Sequence, residues 1–571
     1  MSTTSSMAPQ SWWLGRGFAA GFEFAAASNR GAAIVLIVAS LAAFLPGFFT
    51  IPPVDRDEAY FAQATKQMIE TGDYVDIRYQ DDVRYRKPVG IYWLQAAVVN
   101  SASALGLPAA RTTIWLYRVP SLIGAVGAVL LTYWCALAFV SRRGAVLAAL
   151  MLMSSTLLGV EARLAKTDAM LLLTTVAAMG TLARVYLRRD GATDRTDWPL
   201  IGIFWTALAG GILIKGPLIL MVVGLAAAAL SILDRSARWL LALRPAYGIG
   251  WLFLIVLPWF IAIYWRVGNQ FLIDSVGNDM FAKIANAKET HGAPPGLYVL
   301  LFFVTFFPAS MLAGLAAPAV WKVRREPAAR FLLAWLVPSW IVFELVVTKL
   351  PHYVLPLYPA IAILIAGAVE TRVLSLRPFL VRGIIWWFLV PVTVSIIVVV
   401  AAIVVNRDLA LAAWPFLAAA IVCGLFAWQL YDNGAEQAFL RATAAAILMA
   451  VGIYAVIVPS MTRAFPSVLL AGVLRDANCA HPVAASSGYE EPSLVFLAGT
   501  ATHLTDPSGA ADFLLGGTCR FAFVEARQER IFARRADAIG LRYDPGPRIE
   551  AFNISNGQPM TIAVFQSAGA P

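Results

Sequence analysis

The sequence predicts a mainly α, polytopic transmembrane helix bundle with one highly charged outer loop and a small C-terminal α/β domain. Three observations carry that reading. Of 571 residues, 60% are hydrophobic and only 14% charged, against roughly 25% charged in a soluble domain, and the mean hydropathy is +0.71. Apolar runs long enough to cross about 30 Å of hydrocarbon recur through most of the chain. After them the sequence turns to mixed polarity with turn residues.

Residues 1–31 read as a cytoplasmic segment, because Trp12, Trp13, Arg16 and Arg30 precede the first apolar run without a small-residue cleavage site. Expected spans follow at 32–50, 118–140, 144–160, 168–187, 199–214, 216–233, 247–265, 297–320, 330–347, 354–370, 383–405, 411–430 and 441–460. That makes about 13 by the length rule, within a transmembrane domain over 32–463. With the N-terminus inside, alternate loops hold Arg142 and Arg143, Arg188, Arg189 and Arg195, Arg235, Arg238 and Arg244, Lys322, Arg324 and Arg325, then Arg372 and Arg377. This is the charge bias of cytoplasmic loops. It accounts for much of the +10 net charge, and nothing in the chain looks like a nucleic-acid module. The loops at 52–117 and 267–295 and the tail at 464–571 then lie outside.

The tail is expected to be a small α/β domain. Strands are read at 482–486, 493–497, 520–524 and 561–565, and helices at 508–515 and 528–539. Cys135 and Cys423 fall in apolar spans and read as buried free thiols. Cys479 and Cys519 both fall in the tail, where an oxidising compartment would permit a disulfide.

The stretch Pro52 to Leu94 stands apart. It packs Asp55, Asp57, Glu58, Asp73, Asp76, Asp81, Asp82, Arg84, Arg86 and Lys87 between two apolar runs, and ionisable groups near lipid are costly to keep. Its Asp57-Glu58, QMIETGDYV and RYRKPVGIYWL elements begin an ordered series. The series continues with Glu161-Ala-Arg-Leu-Ala-Lys-Thr-Asp168, Leu213-Ile-Lys-Gly-Pro217, Pro258-Trp-Phe260, Thr290-His-Gly-Ala-Pro-Pro295 and Lys349-Leu-Pro-His-Tyr-Val-Leu-Pro356. Over most of 32–370 it resembles the GT-C glycosyltransferases that use polyprenyl-phosphate sugars, a group including the lipid A aminoarabinose transferases and the protein O-mannosyltransferases.

The resemblance implies a site at the outer membrane edge. A lipid-phosphate donor must expose its anomeric carbon, an acceptor must be aligned or deprotonated, and the departing phosphate needs positive charge. Asp57 matches the catalytic aspartate of the family, as base or acceptor-orienting group; taken alone it reads as a solvated carboxylate or a helix N-cap. Glu58 is a neighbouring catalytic candidate. Asp168 opens its span beside Lys166 and Arg163, and either caps that helix or holds one of those cations in the site. Lys87 and Lys215 match Lys-Pro and Lys-Gly-Pro motifs and are expected to bind lipid phosphate; Lys215 lies outside, where the inside charge bias gives no reason for it. Tyr85, Arg163, Lys349, His352 and Tyr353 complete the expected substrate-binding set, with Tyr353 matching a tyrosine near the phosphate.

His291 matches a family histidine, and with Glu289 it could touch a divalent metal. Two ligands make a poor site, so no obligatory metal or other cofactor is expected. Arg86 is a departure: the aminoarabinose transferases have a glutamate before the Lys-Pro lysine, opposite a cationic amino-sugar. Arg86 therefore points to a neutral or anionic sugar, or pairs with Asp81 or Asp82.

The resemblance thus implies a transferase of the bacterial inner membrane, with site and tail facing the periplasm. Its expected partners are a polyprenyl-phosphate-linked sugar, a lipid or glycan acceptor such as lipid A, and membrane lipids. Transfer to a protein hydroxyl is an alternative. A transporter or lipid-linked-sugar flippase would place ionisable groups near mid-membrane, with paired repeats and broken helices; here they cluster at the outer edge.

Overall fold

The computed structural model describes residues 13–188, 197–275, 277, 292–554 and 556–568. Among them, nine helices are long and apolar enough to cross a membrane: Ile114–Ala136, Asp168–Leu187, Trp198–Lys215, Pro245–Val267, Pro327–Leu345, Pro351–Glu370, Pro378–Asn406, Leu411–Gln429 and Ala435–Ser460. The pair Leu297–Thr305 and Ser310–Lys322, bent by 120°, makes up to ten. The chain is a multi-pass membrane protein.

The remaining expected spans are helical but shorter than the sequence suggests. Asn29–Phe44 and Leu218–Leu233 have 16 residues each, about 24 Å at 1.5 Å per residue. The run at 144–160 breaks into Arg142–Met153 and Thr156–Glu161, because the hydroxyls of Ser154 and Ser155 bond back to Leu150 and Leu152 carbonyls and end the first helix. The bend at 306–309 holds Pro308, which has no N–H to continue the ladder.

Asp168–Leu187 and Pro351–Glu370 run through the middle of the bundle. Pro245–Val267 lies at its rim and exposes Trp251, Phe253, Leu254, Tyr264 and Trp265, as a lipid-facing helix does.

The charged loop is ordered. The helix Asp57–Thr71 ends at Gly72 in the left-handed conformation (φ 71°). A short antiparallel hairpin follows, β1 (Arg78–Tyr79) with β2 (Asp82–Val83), and then the helix Gly90–Ala104. Gly90 is required where it stands, since a Cβ there would sit 2.7 Å from the Leu213 carbonyl oxygen. That approach brings the end of the Lys87 segment against the end of the helix that carries Lys215.

One buried pair fixes this loop to the bundle. Arg118, fully buried in Ile114–Ala136, donates to both carboxylate oxygens of Glu58 at 2.8 and 2.9 Å. Its other donors reach the carbonyls of Phe48 (3.1 Å), Ile51 (2.8 Å) and Pro52 (2.9 Å), so all five guanidinium N–H groups are used. Glu58 also accepts the backbone N–H of Val54 (2.9 Å) and Ala165 (2.8 Å).

The tail forms a five-stranded mixed sheet of β3 (Val483–Ser487), β4 (His503–Leu504), β5 (Arg520–Glu525), β6 (Tyr543–Asn553) and β7 (Gln558–Ser567), in the order β4-β3-β5-β7-β6. β3 is parallel to β4 and β5, while β7 is antiparallel to β5 and β6. Alternation sorts its side chains: Phe521, Phe523 and Val564 face Leu470, Leu474 and Leu494, whereas Ala522, Val524 and Phe565 face Leu514 and Phe532. The expected strand at 493–497 is instead a helix, Pro492–Ala498. Pro492 favours the first helical position, and a short apolar run does not distinguish strand from buried helix. The sequence reading also lacked β6.

Cys479 and Cys519 are disulfide-bonded, tying the segment before β3 to the start of β5. Cys135 and Cys423 are free, and Cys135 is buried in the bundle.

Breaking a buried ion pair from one side costs about 3–5 kcal/mol. Arg118→Ala is therefore expected to lower the midpoint of thermal unfolding of the detergent-purified protein strongly, and a midpoint equal to the parent would show that the pair does not anchor the loop.

Candidate active site

Four separate segments end at one place at one end of the bundle. Glu161 closes the short helix Thr156–Glu161, Lys166 sits in the turn after it, and Asp168 opens the next span. Lys215 is the last residue of Trp198–Lys215, where Gly216 (φ 69°) turns the chain back. His352 and Tyr353 lie in the 3-10 turn Pro351–Leu357.

Their charges meet in a buried cluster. Lys166 Nζ lies 3.2 Å from Glu161 Oε1 and 4.0 Å from Asp168 Oδ2, and Lys215 Nζ donates to Asp168 Oδ1. His352 stands between the acids, with Nδ1 3.7 Å from Glu161 Oε1 and Nε2 3.7 Å from Asp168 Oδ1, too far for direct hydrogen bonds. The Tyr353 ring packs edge-on against His352 at 5.1 Å and carries Lys215 Nζ at 5.6 Å.

Glu161, Lys166 and Asp168 are all buried. Burial pushes the Glu161 carboxyl up to about 7, Lys166 pulls it down, and Asp168 adds to the rise. For Lys166 burial opposes the charge, but the carboxylates of Glu161, Asp168 and Asp57 outweigh it and hold the ammonium above the ordinary lysine range. Asp57 is thus within electrostatic reach of the cluster. Lys87 is likewise within electrostatic reach of His352.

Asp57 is exposed in the first turn of its helix, where a carboxylate complements the helix dipole. The helix N-cap is Arg56, so Asp57 does not serve as the cap. Lys87 is half-buried and donates to the Arg86 carbonyl at 3.0 Å, while Arg86 is exposed.

Several expected site residues serve the fold instead. Glu58 is not a reacting group: both its oxygens are held by Arg118 and backbone N–H groups. Arg163 donates to the carbonyls of Pro46, Gly159 and Ala43 and stacks on Tyr454, which leaves it facing protein rather than substrate. Tyr85 is buried and donates to Asp76 at 2.7 Å. Lys349 is buried and donates to the Val346 carbonyl at 2.6 Å. His291 and Glu289 lie outside the described residues. Conversely, Glu161 was not singled out from the sequence, although it stands in the quoted Glu161 to Asp168 motif, and Lys166 was expected only as a cation that Asp168 could hold.

The ligand atoms of Glu161, Asp168 and His352 lie within 4.8 Å of one another, so this group could hold a metal ion. The charge balance disfavours it. Two carboxylates already face two lysines, and a divalent cation would enter beside both ammonium groups.

Residues 90–272 match a protein-family model described as dolichyl-phosphate-mannose-protein mannosyltransferase. Among curated proteins, the undecaprenyl phosphate-alpha-4-amino-4-deoxy-L-arabinose arabinosyl transferase of Pectobacterium carotovorum is 27% identical, over 62% of this chain and 61% of that protein. Its counterpart in Yersinia pestis is 27% identical, over 65% and 66%. The match to the first of these spans about three fifths of its length. In solved structures, ArnT from Cupriavidus metallidurans bound to undecaprenyl phosphate superposes with a TM-score of 0.73 at 17% identity, covering 94% of this chain and 98% of that one. Its apo state gives 0.72 at 17%, covering 95% and 100%. The fold is that of the ArnT structures. The charged loop, the bundle and the mixed-sheet tail all fall within the superposed part.

Removing one member of the buried cluster should expose its balance. Lys166→Met leaves Glu161 uncompensated and is expected to lower thermal stability by about 3 kcal/mol, while Glu161→Gln in the same chain restores part of it. A double-mutant cycle by denaturation measures the coupling, and strictly additive losses would mean that the two charges do not interact.

Proposed function

We propose that the protein is a glycosyltransferase that moves one sugar from a polyprenyl-phosphate carrier of the undecaprenyl type to an extracytoplasmic acceptor, with lipid A or lipopolysaccharide as the acceptor class. The observation that carries this reading is the meeting of Lys166, Asp168, Lys215, His352 and Tyr353 at helix ends, with Asp57 and Lys87 within electrostatic reach. Such an edge site lets a prenyl tail stay in the bilayer while its phosphate reaches the lysines. The likeness to ArnT bound to undecaprenyl phosphate, and to transferases named for an undecaprenyl-phosphate sugar, supports the donor class.

In this mechanism the acceptor oxygen attacks the anomeric carbon while the bond to the phosphate oxygen breaks, and the phosphate leaves with the electron pair. One displacement inverts the carbon. Lys87 and Lys215 stabilise the charge on the leaving phosphate, Tyr353 lines its place, and Asp168 holds Lys215 in position. Asp57 takes the proton of a hydroxyl acceptor; where the acceptor is itself an anionic phosphate, Asp57 orients it.

The Cys479–Cys519 bond supports a periplasmic tail, and the inward bias of loop arginines supports insertion in the bacterial inner membrane in the same sense. A second reading, transfer to a protein hydroxyl, is favoured by the family match over residues 90–272. A flippase is disfavoured, since the cluster lies at span ends rather than at mid-membrane.

Deleting the gene and comparing intact lipid A, lipopolysaccharide and glycoproteins by mass spectrometry names the acceptor: one missing sugar is expected, and unchanged glycans overturn the reading. Complementation with Asp57→Asn is expected to leave undecaprenyl phosphate binding intact and to reduce product by about 100-fold or more, the scale of general-base loss. Lys87→Ala is expected to weaken binding as well. Retained product with Asp57→Asn would remove that residue from the mechanism.

Arg86 suits a neutral sugar or the carboxylate of an acidic one. Arg86→Glu is expected to shift donor preference towards amino-sugars when neutral, acidic and amino-sugar polyprenyl phosphates are assayed side by side; an unchanged order would show that Arg86 does not read the sugar.

A further inference from the structure

Asp57 follows a residue in an unusual backbone state. Arg56 has φ 66° and ψ −110°, a region that non-glycine residues avoid and that persists only when neighbours hold it. On one side the hold is Glu58, bound to Arg118 and to the Val54 N–H. On the other side it is Asp55, and its partners come from the tail. Ser493 donates its backbone N–H to Asp55 Oδ1 at 3.1 Å, and the Tyr489 hydroxyl lies 3.5 Å from Oδ2. Ser467 Oγ fixes both partners, 2.8 Å from Tyr489 Oη and 2.5 Å from Ser493 Oγ.

Asp55 meets the first turn of the helix Pro492–Ala498, whose early N–H groups have no partners within the helix. Burial pushes its carboxyl up to about 6, with Glu491 adding to the rise and the bonds from Ser493 and Tyr489 opposing it. The same tail segment grips the rest of the loop helix. Lys66 Nζ donates to the Phe496 carbonyl at 2.9 Å, Gln63 Nε2 donates to Thr500 Oγ1 at 2.9 Å, and Thr500 Oγ1 donates to Glu70 at 2.7 Å.

We infer that the C-terminal domain is part of the catalytic apparatus, and that Asp55 is a positioning residue through which it sets the placement of Asp57. This rests on the proposed transfer reaction. Asp55 is turned towards the tail, so its effect on the reaction passes through the backbone at Arg56. A tail that served only as a separate binding module would have no need to grip a half-buried carboxylate two residues from Asp57.

Two mild variants of the full-length protein separate geometry from charge. Asp55→Asn keeps an oxygen to accept the Ser493 N–H and loses the charge; Asp55→Glu keeps the charge and moves it by one methylene. Hydrogen exchange of a peptide spanning 54–60, undecaprenyl phosphate binding, and product in the complemented deletion strain are measured for each. Asp55→Asn is expected to match the parent. Asp55→Glu is expected to exchange faster over 54–60 and to yield about 100-fold less product, the cost of a misplaced reacting group, with undecaprenyl phosphate affinity unchanged. Equal exchange in all three proteins, or loss of product in Asp55→Asn with normal exchange, overturns the inference. A parent gene that restores no glycan refutes the transfer reading instead, while the exchange measurement still judges the link between tail and loop.

Discussion

The geometry of the outer face depends on one buried ion pair, Glu58 with Arg118. A charge pair without solvent is poor stabilisation unless every donor and acceptor is satisfied. Here it is, because the guanidinium spends its remaining N–H groups on three carbonyls of the segment that follows Asn29–Phe44, and the carboxylate takes two backbone N–H groups besides. Four pieces of chain are joined at one point: the exit of Asn29–Phe44, the loop helix, Ile114–Ala136 and the turn leading to Lys166. Removing the pair would release the loop from the cluster it covers.

The cluster pairs acids with bases as well, Glu161 with Lys166 and Asp168 with Lys215, which is how ionisable groups are kept out of water. It departs from full satisfaction at Glu161 Oε2, which among the described residues is buried without a hydrogen-bond partner. Asp168 holds the Lys215 amine in position, so that in the proposed reaction the lysine is already aimed and little reorganisation is left for the step itself.

Much of this was legible in the sequence, for identifiable reasons. Asp168, Lys215, His352 and Tyr353 come from motifs far apart in the chain, and the fold brings them together because they stand at helix ends or in a turn between helices. Glu58 and Arg163 were legible as charged residues but not as structural ones, since their partners are backbone carbonyls and N–H groups that leave no mark in a sequence. Span length was overread for a similar reason: hydropathy does not show where Ser154 and Ser155 turn their hydroxyls onto the preceding turn. The 493–497 segment was misread because apolar periodicity over five residues fits strand and buried helix alike.

The contrast among Asp55, Asp57 and Glu58 follows from these partners. All three are acids within four residues, and composition alone treats them alike. Asp55 is bound to the tail and Glu58 to the bundle, so neither can rotate towards a substrate. Asp57 is the exposed one, and it is held in place by its neighbours rather than by bonds of its own side chain that a substrate would have to break. A carboxylate placed in this way keeps its lone pairs for an acceptor, which is what a base or orienting group requires. On the inference drawn above, the two flanking acids position Asp57, since their side chains are engaged by the tail and the bundle while Asp57 stays exposed.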